Sequence, residues 1–100
     1  MFATSATLHI TEADARRVET ELGDLVPDGL IAHVAGTADD GTWRIIDVWE
    51  TEAQWDAFRT EHLLPAVARA TEGRPEPAKP SVSVGITGVL ERRGKALAAV

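Results

Sequence analysis

One imidazole in this chain stands where the local spacing offers it a carboxylate. His33 and Asp47 lie on two apolar runs that flank Asp39-Asp40-Gly41. That tripeptide is a strong hairpin signal, because Asp tolerates the turn and Gly supplies positive φ. A three-residue loop there sets Ala38 opposite Thr42. Counting back along both runs sets His33 opposite Asp47 and Ile31 opposite Trp49, with paired residues on one face. A carboxylate beside an imidazole fixes its tautomer and raises its basicity, which suits a general base near neutral pH. Such a base would take a proton from an acidic C–H or a phenol. The same pair also fits a plainer role, in which two polar groups satisfy each other inside a core.

Several side chains could hold a ligand near this pair. Trp49 and Trp43 are flat surfaces for an aromatic ring, although Trp49 and Trp55 also suit a core anchor where hairpin meets helix. Trp43, close to the turn, could instead meet a second subunit. Phe58 follows Trp55 along one helix, and His62 comes one turn later, at the expected pocket mouth. His9 ends the first strand. Thr7 and Ser83, with Ser5 and Thr87, would bring hydroxyls to a pocket floor. The candidates are therefore His33 and Asp47 for catalysis, and Trp49, Trp43, His9, Thr7, Phe58, His62 and Ser83 for substrate contact. The three histidines and the acid match no local metal-ligand spacing, so no metal is expected. No Gly-x-Ser-x-Gly, phosphate-cradling loop or dinucleotide fingerprint is present, which sets aside nucleophilic hydrolysis and nucleotide cofactors.

These side chains need a frame. Residues 2–10 alternate as a half-buried strand, with Phe2, Thr4, Ala6, Leu8 and Ile10 on the greasier face. Thr11 opens a helix with Glu12 and Asp14 in its first turn, and Ala15, Val18 and Leu22 form its inward stripe. Gly23 stops it, and Pro27-Asp28-Gly29 turns into the hairpin. Thr51 and Gln54 form the capping box of a second helix, whose broad apolar stripe is interrupted by Pro65, so a kink or break is expected near residues 62–64. Residues 73–80, with three prolines, read as a loop. Residues 81–90 alternate again as a last strand.

The order β-α-β-β-α-β is the ferredoxin-like arrangement, an α+β fold with a four-stranded antiparallel sheet and both helices on one face. The all-apolar set Leu8, Leu30, Val34, Ile46, Val48, Val84 and Ile86 is expected under the helices. The opposite face would show Ser5, Thr7, His9, Ile31, His33, Ile45, Asp47, Trp49, Ser83 and Thr87. Trp43, Ile45, Trp49 and Ile31 are too much apolar area to leave bare, so a second copy of the sheet is expected to cover them in a two-fold dimer.

One hundred residues make a single domain over residues 1–100, with residues 91–100 read as a tail that frays or docks on a partner subunit. A formal charge of -6 with no basic cluster argues against a nucleic-acid partner. Without cysteine there is no disulfide or thiolate site, and no apolar run approaches the roughly 20 residues that span a bilayer. The N-terminal residues lack the basic start and apolar core of a signal peptide, so a cytoplasmic protein is expected. The Ala, Arg, Glu and Asp usage suggests a bacterium with a GC-rich genome.

The residues His33-Val34-Ala35-Gly36, Asp40-Gly41, Trp43-Arg44-Ile45, Asp47-Val48-Trp49-Glu50-Thr51, Trp55, Phe58 and Leu63-Leu64-Pro65-Ala66-Val67 form a recognisable pattern. Together they resemble the small dimeric α+β-barrel proteins, in particular the antibiotic biosynthesis monooxygenase-like group. The resemblance covers nearly the whole chain in element order and length. It implies a homodimer with a ligand pocket between sheet and helices. It also implies a cofactor-free, monooxygenase-like activity on an aromatic or polyketide-type small molecule of secondary metabolism. Haem-degrading members would need Trp where Phe58 stands and His near Ala68, so this chain departs from them. It also has no Tyr and only Gln54 as a side-chain amide, a departure from the quinone-forming oxygenases. The alternatives are an isomerase or cyclase on a similar metabolite, or a non-catalytic small-molecule-binding dimer. A cavity of about 300 Å³ or more reaching His33 would separate the ligand-handling readings from a packed interior.

Overall fold

The computed structural model describes residues 1–74 and 79–92. Residues 75–78 of the expected loop and residues 93–100 of the expected tail lie outside the described residues. Four strands, β1 (Phe2–Leu8), β2 (Leu30–Thr37), β3 (Trp43–Trp49) and β4 (Val82–Ile86), form one sheet in the order β2-β3-β1-β4. Every pairing is antiparallel. Helix α1 (Glu12–Leu22) joins β1 to β2, and a helical segment comprising α2 (Glu52–Phe58), a π turn (Arg59–Leu63) and α3 (Leu64–Ala70) follows β3. This is the expected ferredoxin-like α+β arrangement.

Local chemistry accounts for the element ends. Thr11 Oγ1 accepts from Asp14 N–H, and Thr51 Oγ1 accepts from Gln54 N–H, so both helices begin where a hydroxyl meets an orphan amide. In the hairpin Ala38 N–H donates to Thr42 O and Gly41 N–H donates to Ala38 O, with Gly41 at φ 83°. Asp40 secures that loop by accepting from Thr42 and Arg44, which holds its carboxyl down at about 2. The break expected at Pro65 is a π turn instead. Leu64 N–H reaches back five residues to Arg59 O, so the chain stays helical through the π turn, and Pro65 falls in the first turn of α3.

The helices cover the opposite sheet face from the one expected. Trp49 is fully buried, and Trp43, Asp47, Phe2 and Thr4 share its face and are also buried. Rings of α2 lie against Trp49, with centroids 5.7 Å (Trp55) and 5.4 Å (Phe58) away. Val34 (64%), Ile46 (52%) and Val84 (55%) are instead exposed on the far face. The reason is area. Both faces of the hairpin are apolar, but aromatic side chains bury the larger surface and so take the side with the helices. Of the set expected under the helices, only Leu8 and Leu30 pair on the Trp face, opposite Trp43 and Trp49. Ser5 and Thr7, opposite Ile46 and Arg44, belong to the open face.

Candidate functional site

β2 and β3 bring His33 and Asp47 face to face, in the register that the turn implied. His33 Nδ1 donates to Asp47 Oδ1 at 2.5 Å. The register slips only at the far end, where a bulge between Leu30 and Ala32 pairs Leu30, rather than Ile31, with Trp49. The carboxylate is deep, with a side chain 9% exposed, while the imidazole is 37% exposed. Burial pushes the Asp47 carboxyl above its ordinary value, opposed by the hydrogen bond and charge of His33 and reinforced by the charge of Glu19. With Nδ1 tied to Asp47, Nε2 is left facing outward.

Outward is a cleft of about 690 Å³ between α1 and the sheet. Arg16, Glu19, Thr20 and Gly23 of the α1 segment, with Asp24, form one wall, and His33, Ala35 and Trp43 form the other. Glu19 Oε1 comes within 3.4 Å of His33 Nε2. Sequence reasoning missed Glu19. Its signal was present, since it stands four residues after Ala15 and three before Leu22, an acid set into the inward stripe of α1.

The other candidates scatter. Trp43, 8% exposed, lines the cleft. Trp49 and Phe58 belong to a packed aromatic cluster under α2, with the His62 ring 6.1 Å beyond Phe58. Ser83 is on the same sheet face, but two strands away from Asp47. His9 follows the end of β1. Thr7 lies across the sheet from the cleft, because odd positions of β1 point to the open face. Among the described residues, no three His, Cys, Asp or Glu side chains gather at metal-binding spacing, and no helix is long and apolar enough to cross a membrane.

No family model matches the chain, and no curated protein matches it. Solved structures do. An antibiotic biosynthesis monooxygenase superposes with a TM-score of 0.65 at 18% identity, over 90% of this chain and 100% of that one. The chain has the antibiotic biosynthesis monooxygenase fold. The monooxygenase ActVA-Orf6 of Streptomyces coelicolor, in complex with nanaomycin D, matches at 0.59 and 19% identity over 98% and 92% of the two chains. A MhuD variant with two manganese protoporphyrin IX bound per active site matches at 0.61 and 14% identity over 94% and 100%.

Proposed function

We propose that this protein is a cofactor-independent, monooxygenase-type enzyme acting on an aromatic or polyketide-type small molecule. One observation carries the reading: a histidine backed by a buried carboxylate opens onto a cleft large enough for a multi-ring ligand. His33 Nε2 is the base. It takes the proton of a phenol or an acidic C–H while Asp47 holds the ring's tautomer and stabilises the imidazolium that results. Dioxygen, as co-substrate, then converts the deprotonated phenol to a quinone with release of water. The fold shared with monooxygenases supports this chemistry by analogy, and one of those neighbours was solved with a small ligand, nanaomycin D.

The open sheet face supports a second part of the reading. Val34, Ile46, Val82, Val84 and Ile86 are all exposed there, an aliphatic surface that a second copy would cover as a homodimer. The proposed setting is the cytoplasm of a bacterium, in secondary metabolism. The test is oxygen uptake with polycyclic phenols, in the presence of a chelator and without added flavin. His33→Ala should slow turnover by at least about a hundredfold, the usual reach of general-base catalysis. Undiminished turnover in His33→Ala would overturn the assignment.

A further inference from the structure

We infer that the cleft selects its ligand by charge, Glu19 and Asp24 admitting an uncharged or amine-bearing aromatic and turning away a carboxylate. This deepens the proposed function and rests on it. The acids that line the cleft are Glu19 and Asp24, both from the α1 side, and Arg16 is the one lining cation of fixed charge. Arg16 is paired on the exposed helix surface, its Nη2 lying 2.8 Å from Glu12 Oε1. Among the described residues, the ion-pair neighbour of Glu19 is His33 Nε2, at 3.4 Å, longer than a good hydrogen bond. Behind His33 the Asp47 carboxylate adds a further negative charge to the same field. The groups facing a ligand are therefore Glu19, Asp24, Arg16 with its Glu12, and His33 with its Asp47. Even with the imidazole protonated, their sum is negative.

The consequence is a matter of distance. A ligand whose ring lies along Trp43 and whose polar end reaches His33 must bring that end beside Glu19. Unit charges about 6 Å apart, in a medium between water and a protein surface, change a dissociation constant by about tenfold. A phenol escapes the penalty, and an ammonium gains from it. A carboxylate carries it in full.

Three probes on one ring system test the inference: naphthol, naphthoate and naphthylmethylamine. Binding to the full chain is followed at neutral pH and low salt through the NMR signals of the His33 ring and the Trp43 indole. Naphthol and the amine should bind at least about tenfold more tightly than naphthoate, and high salt should narrow the gap. Glu19→Gln should tighten naphthoate about three- to tenfold and leave naphthol within about twofold, with Asp24→Asn acting in the same direction. Naphthoate binding as well as naphthol, or a gap unmoved in both variants, overturns charge selection and leaves the proposed function standing. Absence of any probe-dependent shift at His33 or Trp43 overturns the cleft as a ligand site, and with it both readings.

Discussion

Removing His33 strands a carboxylate. In His33→Ala the Asp47 side chain, 9% exposed, loses the hydrogen bond at 2.5 Å and the countercharge that offset its burial. Breaking a fully buried ion pair from one side costs about 3–5 kcal/mol. Here the imidazole is 37% exposed, so water can enter the space it leaves, and about 2–3 kcal/mol is the expected loss at neutral pH. That is a large fraction of a small domain's stability and lowers its melting temperature by roughly 10–20 °C. Asn at position 47 needs no countercharge, so His33→Ala/Asp47→Asn should recover about 1–2 kcal/mol of the deficit.

The pH dependence gives this prediction its sign. Asp47 has a raised folded pKa, so its neutral form contributes stability that is complete below the unfolded value of 3.8 and is lost as pH rises through the folded value. His33 pulls that folded value down, and its removal moves the crossing to higher pH. The gap between His33→Ala and the double variant should therefore close as pH falls from neutral towards about 4. Urea unfolding of wild type, both single variants and the double variant at several pH values measures it. Additive single effects, with a gap that does not move with pH, would refute the account of Asp47 as a buried charge held by His33.

Two further outcomes follow from the geometry. Gly29 has φ 84°, and a Cβ there would run into the Gln54 side chain, so Gly29→Ala should cost about 1–3 kcal/mol; adding Gln54→Ala should relieve the clash but not the backbone strain, which thermal melts will separate. Ile46→Asp places a charge on the open sheet face at a position 52% exposed in the single chain, so it should leave monomer stability nearly unchanged while dissociating the proposed dimer; an unaltered dimer by analytical ultracentrifugation would place the interface elsewhere.

What was legible in the sequence was local or periodic. Thr11 and Thr51 cap because a hydroxyl three residues before an amide can do so in any context, and Asp39-Asp40-Gly41 sets a register that carries His33 to Asp47 without help from the rest of the fold. Which face the helices take was not legible. Alternation distinguishes two faces but does not rank them, and here Trp43 and Trp49 on one compete with Val34, Ile46 and Val84 on the other. The same ambiguity hid half of the site. With the helices expected over Val34, Ile46 and Val84, nothing set α1 against His33, and Glu19 was not among the candidates. Placed correctly, the covered face is also the face that carries His33, so the cleft must take its second wall from α1. Glu19, half exposed on the side of α1 that lines this cleft, brings its carboxylate to 3.4 Å from His33 Nε2.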